Sequence, residues 1–267
     1  MAKMLMKGNE AVAEAAIQAG CRFFFGYPIT PQNEIPEYMS ARLPKVGGTF
    51  LQAESEVAAI NMVYGAAGAG ARAMTSSSSP GISLKQEGIS YMVGAELPAV
   101  IVNMVRGGPG LGSIQPAQSD YYQSTRGGGH GDYRTPTFVP ASIQEAVELT
   151  QRAFDVADQY RNPVIVMGDG MIGQMMEPVE MPDYQPRQLS EKTWATTGWS
   201  KEMGIPRRII NSLYIEPDVL EKHNQKLMRK YAEIEKNECL VEEQFTEDAD
   251  IITVSYTHLT LPTTAGV

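Results

Sequence analysis

LQAESEVAAINMVYGAAGAGAR, residues 51–72, is the stretch that decides the fold. It begins as the end of a strand, turns sharply at Ser55, and continues as a helix of small residues with Glu56 in its first turn. Apolar side chains recur along this helix at steps of three and four residues, so they share one helical face: Val57, Ile60, Val63, Tyr64 and Ala67. A strand that leads directly into such a helix is typical of an α/β protein.

Glu56 has two interpretations. In the first, its carboxylate only stabilises the start of the helix, because the helix dipole favours negative charge there. In the second, the carboxyl group faces a cofactor at the end of the preceding strand. The stretch itself does not decide between them, so the decision depends on the rest of the chain.

The composition narrows the class of protein. The chain has 267 residues, of which 43% are apolar and 20% charged, as in an ordinary soluble globular protein. A net charge of −9 argues against nucleic acid or an anionic membrane surface as a partner. Two cysteines, Cys21 and Cys239, are too few for an iron–sulfur cluster or a structural zinc site. The sequence has no signal-peptide pattern and no membrane-length apolar run, so we expect a cytoplasmic protein.

Residues 1–178 alternate between helix-like and strand-like segments, which predicts a doubly wound parallel sheet. The predicted strands are 22–26, 49–52, 72–76, 97–105, 137–140 and 163–167. The predicted helices are 8–20, 30–41, the helix that opens at Glu56, 82–94, 118–124 and 142–160. Thr30, which precedes Pro31, is predicted to cap the second of these helices. Ligands bind at the carboxyl ends of strands in such a sheet, so we expect a site formed by loops 26–31, 54–56 and 105–112.

The second part of the chain has a different character. We predict a proline-punctuated linker over 179–247, with a charged, solvated connecting helix at 216–237. Residues 248–255 (DADIITVS) resemble the first strand of a truncated second α/β domain, of the transketolase C-terminal type. Residues 256–267 have no pattern that continues this domain. We interpret them as an extraneous tail and expect the natural chain to continue past residue 255 with other residues.

Four segments together carry a resemblance to a known family. They are GNEAVAEAAIQAGC (8–21), GYPITPQNEIPEY (26–38), LQAESEVAAINMVYGAAGAGARAMTSSSSPGISL (51–84) and RGGPGLGSIQPAQSD (106–120). With them the chain resembles the alpha subunits of 2-oxoacid:ferredoxin oxidoreductases, in particular the branched-chain enzyme, which acts on 3-methyl-2-oxobutanoate (2-oxoisovalerate). The resemblance extends over about residues 1–255 and is densest before residue 178.

This resemblance implies a thiamin diphosphate fold and a cofactor shared between two chains. The alpha subunit supplies the pyrimidine-side domain, and a beta subunit supplies the diphosphate-side domain. In the family, a glutamate at the position of Glu56 contacts N1′ of the aminopyrimidine, and its proton exchange there promotes removal of the C2 proton. An amide can hydrogen-bond with N1′ but cannot exchange this proton. Glu54 is the competing candidate, although the Ser55–Glu56 pair and the helix register favour Glu56.

The resemblance also assigns the two flanking loops. Tyr27, Pro28, Ile29 and Thr30 are expected to contact the cofactor. Thr30 and Arg106 match positions that hold the substrate carboxylate in the family, and a guanidinium can grip a carboxylate at two points. Without the resemblance, Arg106 is equally well explained as a surface arginine that opens a loop.

Three further motifs are weaker. The hydroxyl-rich run 75–81 either approaches the cofactor or coenzyme A or is a plain polar loop. The run 168–173 (GDGMIG) fits a dinucleotide fingerprint, but nearby prolines leave no room for the long helix that should follow it. The same GDG lacks the downstream asparagine of the thiamin metal motif, so we interpret it as a turn after the last strand. GGPGLG (107–112) has Ser113 where the fingerprint needs a glycine or alanine. His130 is interpreted as structural or solvated.

We therefore expect the alpha subunit of an enzyme that converts a branched-chain 2-oxo acid and coenzyme A into acyl-CoA and CO₂, with electrons passing to ferredoxin. The implied partners are a beta subunit, a gamma subunit and a ferredoxin-like delta subunit. The partner subunits are expected to hold Mg²⁺ and [4Fe-4S] clusters, and we predict no metal site in this chain. The alternatives are the 2-oxoglutarate-specific relative, a non-catalytic partner with a degenerate thiamin fold, and a nucleotide-binding oxidoreductase.

Overall fold

The computed structural model describes residues 3–244 and 246–252. The strands are β1 (Met4–Lys7), β2 (Phe23–Gly26), β3 (Thr49–Gln52), β4 (Ala73–Ser77), β5 (Ala99–Gly107), β6 (Ser113–Pro116), β7 (Thr137–Phe138), β8 (Pro163–Asp169) and β9 (Met176–Val179). The α-helices are α1 (Gly8–Gln18), α2 (Glu34–Arg42), α3 (Glu56–Gly68), α4 (Ser79–Gly94), α5 (Tyr121–Thr125), α6 (Ile143–Tyr160), α7 (Gly170–Gln174) and α8 (Pro217–Glu238).

The main sheet has the strand order β3-β2-β4-β5-β8-β7, and each of these neighbours pairs in parallel. Strand β6 adds an antiparallel partner to the end of β5. The chain leaves β2 toward β3 at one edge, whereas it leaves β4 toward β5 in the opposite direction. The strand order therefore reverses between β2 and β4, and the loops after these two strands border the crevice in which open α/β sheets bind ligands.

Helices cover both faces of this sheet. Successive strand residues point to opposite faces, and β5 shows the result. Val100 and Val102 pack in one core cluster with Phe154 of α6, whereas Ile101 packs in a second cluster with Ile60 of α3. A strand that is buried on both faces requires the continuous apolar run found in this part of the sequence. The doubly wound α/β fold predicted from the sequence is confirmed.

A second, two-stranded sheet was not predicted. Strands β1 and β9 pair antiparallel, with Met4 opposite Val179, and Val179 packs in a small core cluster with residues of α1 and α6. Each strand is only four residues long, and in the sequence one precedes and the other follows the strands of the main sheet. Neither segment is recognisable alone, because the pairing depends on a contact between distant parts of the chain.

The start of α2 also differs from the prediction. Thr30 does not cap this helix, which begins at Glu34 with Asn33 in the N-cap position. A tight turn comes first, in which the Gln32 amide donates to the carbonyl oxygen of Ile29 at 3.1 Å. Contacts from α1 and α7 hold this turn, so tertiary structure displaces the helix start from the local capping signal.

The region after β9 is largely irregular until α8, which was predicted as a solvated connector. Most of α8 is exposed, but Leu227 and Ile234 are buried in the two core clusters of the sheet. Glu238 at its end binds Arg152 at 2.7 Å and Arg187 at 2.6 Å. The helix therefore packs on the domain instead of merely connecting it to another.

Two predictions concern the end of the chain. Residues 248–252 form turn and irregular structure instead of the predicted strand, and residues 253–255 lie outside the described residues. The tail 256–267 also lies outside them. Across 3–244 and 246–252, no helix combines the length and apolar character that crossing a membrane requires.

Candidate active site

The loop after β2 is held by buried polar contacts. Asn9 of α1 is fully buried and donates from Nδ2 to the carbonyl oxygen of Pro31 at 2.8 Å, and Gln174 Nε2 donates to the same oxygen at 2.9 Å. The Ser76 hydroxyl at the end of β4 donates to Oε1 of buried Gln32. These contacts fix the YPITP loop against the neighbouring strand, while its residues Tyr27, Pro28 and Thr30 remain exposed and Ile29 is half-buried.

Glu56 lies at the centre of the site, as the first residue of α3. The Ser55 hydroxyl accepts a hydrogen bond from the Ala58 amide at 3.1 Å and so caps the helix. The Glu56 carboxylate is therefore not needed as the cap and is available for another role. The Glu56 side chain is only 7% exposed.

Gly81 in the first turn of α4 lies against this carboxylate. A methyl group at Gly81 would collide with the Ser77 hydroxyl and would lie 2.8 Å from Glu56 Oε1. Only a glycine permits this approach without displacement of its neighbours. The first turns of α3 and α4 consequently converge on the carboxylate, beside the carboxyl ends of β3 and β4.

The hydroxyl-rich run 75–81 is buried, not an exposed polar loop. It forms the end of β4 and the start of α4, and Ser77 and Ser78 are completely buried. Within the described part of the chain, the hydroxyls of Ser77 and Ser78 have no hydrogen-bond partner. Buried hydroxyls without a partner are unusual. The Ser77 hydroxyl lies near Glu56, because a side chain at Gly81 would meet both groups. Their position fits a polar ligand at this edge of the sheet.

Lys85 lies one turn further along α4 and is completely buried. Its ammonium group donates to the Thr75 hydroxyl at 3.1 Å. Burial lowers the pKa of Lys85 from 10.5 to about 8, and the negative charge of Glu56 partly opposes this effect. No sequence pattern pointed to Lys85, because a lysine inside a helix usually lies on the solvated face.

Arg106, at the end of β5, is 8% exposed and reaches the loop after β2. Its Nη1 donates to the carbonyl oxygen of Thr30 at 3.0 Å, and its Nη2 donates to that of Leu111 at 2.9 Å. Arg106 Nε is buried and has no hydrogen-bond partner among the described residues. The structure thus brings together Thr30 and Arg106, the two residues predicted to hold a carboxylate, through the backbone of Thr30.

A polar network connects Arg106 to the start of α4. The Ser79 hydroxyl donates to Asp120 Oδ2 at 2.6 Å and accepts from the Arg106 amide at 3.1 Å. Asn103 Oδ1 accepts from the Ser79 amide at 3.1 Å, and Asn103 Nδ2 donates to Asp120 at 3.2 Å. Ser79 and Asp120 both have a positive φ, of 22° and 61°. Non-glycine residues with this conformation concentrate at functional sites. No sequence pattern pointed to Asn103 or Asp120.

The glycine motifs serve the backbone. GGPGLG forms the turn between β5 and β6, where a side chain at Gly112 (φ +59°) would collide with the Gly107 carbonyl. Asp169 of GDG caps α7, because its Oδ1 accepts from the Ile172 amide at 2.9 Å. Helix α7 has five residues, so the long helix of a dinucleotide fingerprint does not follow. In the described ranges, no group of three or more His, Cys, Asp or Glu residues could hold a metal ion.

His130 lies apart from the carboxylate of Glu56. It is exposed, and its ring packs edge-on against Tyr91 in the last two turns of α4. The interpretation of His130 as a solvated loop residue agrees with this position, because Glu56 contacts the opposite end of that helix.

The sequence model of a family described as pyruvate flavodoxin/ferredoxin oxidoreductase, thiamin diphosphate-binding, matches residues 14–243. The chain belongs to this family. The match spans the parallel sheet and continues through α8, so the linker region is also part of what this oxidoreductase family shares.

Two curated relatives in the family come from Methanothermobacter thermautotrophicus. The ketoisovalerate oxidoreductase subunit VorB is 52% identical over 256 residues, which cover 96% of this chain and 72% of VorB. The 2-oxoglutarate synthase subunit KorA is 49% identical over 179 residues, which cover 67% of this chain and 47% of KorA.

A solved structure agrees with the fold. It is a 2-oxoglutarate:ferredoxin oxidoreductase from Magnetococcus marinus with 2-oxoglutarate, coenzyme A and succinyl-CoA bound. The superposition has a TM-score of 0.79 at 29% identity, and it covers 89% of this chain and 46% of the solved chain. The chain therefore spans about half the length of that oxidoreductase polypeptide.

Proposed function

We propose that this chain is the alpha-type subunit of a thiamin diphosphate-dependent 2-oxoacid:ferredoxin oxidoreductase. The observation that carries the proposal is the buried Glu56 carboxylate at the start of α3, against which Gly81 packs closely. The orphaned hydroxyls of Ser77 and Ser78 and the exposed YPITP loop border the same edge of the sheet. This donor set fits the aminopyrimidine of thiamin diphosphate, which offers hydrogen-bonding ring and exocyclic nitrogens.

In this proposal Glu56 holds and exchanges a proton at N1′ of the pyrimidine. When bound, thiamin diphosphate supplies the nucleophilic carbon and the electron sink that decarboxylation of a 2-oxo acid requires. A carboxyl group can both accept and return the N1′ proton, and its burial keeps water away from that hydrogen bond. Tyr27, Pro28, Ile29 and Thr30 then form the wall that contacts the cofactor.

Replacement of this carboxyl group tests the proposal. In the complex assembled with its partner subunits, we expect Glu56→Gln to lower kcat for ferredoxin reduction by about 10²–10⁴-fold. Glu54→Gln is the matched control, because Glu54 is an exposed carboxylate two residues away. Calorimetric titration with thiamin diphosphate separates binding from turnover. Full activity in Glu56→Gln would overturn the role and favour a non-catalytic partner with a degenerate thiamin fold.

We propose further that Arg106 and Thr30 hold the carboxylate of a branched-chain 2-oxo acid. Arg106 already joins the loops after β2 and β5, and its Nε is buried without a partner in the described residues. The similarity to the ketoisovalerate subunit VorB extends over 96% of the chain, which favours 3-methyl-2-oxobutanoate over 2-oxoglutarate. Relative kcat/KM for these two acids tests the choice, and a preference for 2-oxoglutarate would reverse it.

The proposed cofactor site needs a second chain. Exposed apolar side chains border it, including Tyr27 at 36% and Leu111 at 81% exposure, and such patches mark protein interfaces. We assign the diphosphate half and Mg²⁺ to a beta subunit. The [4Fe-4S] clusters belong to a ferredoxin-like delta subunit or another partner, since this chain has two cysteines. The products are acyl-CoA and CO₂, and coenzyme A and ferredoxin are the acceptors. A gamma subunit completes the complex.

Assembly offers a direct test of these partners. We expect the chain to copurify with a beta subunit, and the isolated chain to reduce no ferredoxin. Ferredoxin reduction by the isolated chain would contradict the shared site. Cys21 and Cys239 are both free thiols, as expected in the reducing cytoplasm, which is the proposed location.

A further inference from the structure

The ammonium group of Lys85 is buried, and few polar contacts replace the hydration that it loses. Lys85 has no exposed surface, and its one hydrogen-bond acceptor in the described part of the chain is the Thr75 hydroxyl at 3.1 Å. A lysine is almost never fully buried unless it is paired, because the ammonium loses its hydration. Stability alone would favour an apolar side chain at this position.

Helix geometry places Lys85 behind the Glu56 carboxylate. Gly81 and Lys85 are four residues apart on α4, so they occupy the same face of that helix. Gly81 is the residue that lies against Glu56 Oε1. Lys85 therefore lies one turn further along α4, on the helix face that contacts the carboxylate. Its ammonium group donates to the hydroxyl of Thr75 in β4.

The negative charge of Glu56 opposes the lowering of the Lys85 pKa by burial. Among the ion pairs of the described residues, none joins Lys85 to Glu56 directly. On β4 the group that meets the ammonium is the neutral hydroxyl of Thr75. The pair thus interacts through the interior, where charges are weakly screened.

We propose that Lys85 is a positioning residue for Glu56. The buried ammonium of Lys85 keeps the Glu56 carboxyl group ionised and directed to the open edge of the sheet. Lys85 has no exposed surface, so it acts through Glu56 and not on a substrate. The inference rests on the proposed function of Glu56. It deepens that function by naming the group that keeps the carboxyl group ready to accept a proton.

Titration of Lys85 itself is the first test. Nuclear magnetic resonance of the full chain with labelled lysine side chains follows the Lys85 ammonium in the wild type, in Glu56→Gln and in Glu54→Gln. If the two groups are coupled, Glu56→Gln lowers the pKa of Lys85 by about one pH unit or more, and Glu54→Gln leaves it unchanged. An unchanged Lys85 titration in Glu56→Gln would overturn the proposal.

Infrared spectroscopy of Glu56 is the second test. The difference spectrum between each protein and its Glu56→Gln derivative isolates the Glu56 band at pH 7. We expect a carboxylate band in the wild type and in Lys85→Met a protonated carboxyl band, because a buried carboxylate without its counter-charge takes up a proton. Lys45→Met, which removes an exposed lysine, should keep the carboxylate band. A carboxylate band in Lys85→Met would contradict the proposal.

Turnover of the assembled complex completes the test. Lys85→Met should lower kcat at least tenfold, and Lys45→Met should not. If Lys85→Met fails to fold, the titration of the unchanged lysine in Glu56→Gln still decides. Neither spectroscopic test needs a cofactor or substrate. If Lys85 and Glu56 are coupled but the protein does not bind thiamin diphosphate, only the proposed function is rejected. If the protein binds thiamin diphosphate but the two residues are not coupled, only the role of Lys85 is rejected.

Discussion

Arg106 at the end of β5 donates a hydrogen bond from Nη1 to the carbonyl oxygen of Thr30, 3.0 Å away, in the loop after β2. These two residues are distant in sequence, and strand β4 lies between their strands in the sheet. The bond therefore spans the crevice at which the strand order reverses. Because the second terminal nitrogen binds the Leu111 carbonyl, the guanidinium also holds the turn that follows β5.

Replacement of Arg106 by lysine should distinguish the effect of the two hydrogen bonds from the effect of the positive charge. A lysine keeps the positive charge but cannot join two carbonyl oxygens in a planar fork. We expect Arg106→Lys to lower kcat/KM for the 2-oxo acid by about 10–100-fold, mainly through KM, in steady-state assays of the complex. Arg229→Lys, at an exposed position of α8, is the control. An unchanged KM would remove Arg106 from the substrate site.

Gly81 should not tolerate even a methyl group. In Gly81→Ala the new carbon would lie 2.8 Å from Glu56 Oε1, so the carboxylate or α4 must move. We expect a loss of roughly 1–3 kcal/mol in the free energy of unfolding, together with a large loss of turnover. Gly65→Ala, inside α3 with open space around it, should be neutral or stabilising by up to about 1 kcal/mol. Denaturant unfolding measures both. Equal effects of the two substitutions would contradict the close approach.

Lys85 should give the stability of the protein a particular pH dependence. Its pKa is about 8 in the folded chain and 10.5 in the unfolded chain, so the unfolded chain binds the extra proton between these values. Wild-type stability should therefore increase relative to Lys85→Met as the pH rises from 8 to 10.5, by a free energy on the order of 3 kcal/mol.

Urea unfolding of the two proteins at several pH values measures this difference. Lys230 has a similarly lowered pKa but is present in both proteins, so its contribution cancels. A Lys45→Met control should follow the wild type at every pH. A constant difference between wild type and Lys85→Met would show that the Lys85 ammonium is not desolvated.

Asn9 should stabilise the YPITP loop more than Gln174 does, although both donate to the carbonyl oxygen of Pro31. Both amides also donate to Glu34 Oε2 at 2.8 Å, but Asn9 is fully buried, whereas Gln174 is exposed and water can replace its amide. We expect Asn9→Ala to cost about 1–3 kcal/mol of unfolding free energy and Gln174→Ala less than about 1 kcal/mol. Thermal unfolding of the two variants tests this order. A larger effect of Gln174→Ala would contradict it.

The starts of α3 and α2 show where a local sequence signal is sufficient and where it is not. The chain was predicted to enter α3 at Ser55, and it does, because the Ser55 cap joins residues three positions apart. Thr30 was predicted to cap α2 and does not. The difference lies in Asn9 and Ser76, which bind the segment between Thr30 and the helix from other parts of the fold. A local signal fails where buried tertiary contacts compete for the same backbone.

The candidate site divides in the same way. Glu56, Thr30 and Arg106 were found from the sequence because they lie at strand ends within recognisable motifs. Lys85 and the pair Asn103–Asp120 were not found, because nothing in their local sequence distinguishes them from surface polar residues. Only the packing of α4 against α3 and β4 buries Lys85.

The sequence by itself determined the alternation of strands and helices, the doubly wound class and the position of Glu56 at a helix start. These properties follow from periodicity and capping, which involve residues close together along the chain. Tertiary structure alone decided the pairing of β1 with β9, the displaced start of α2 and the burial of a lysine behind Glu56. Each of these depends on which distant side chains meet, and the balance of desolvation and pairing is set only when they do.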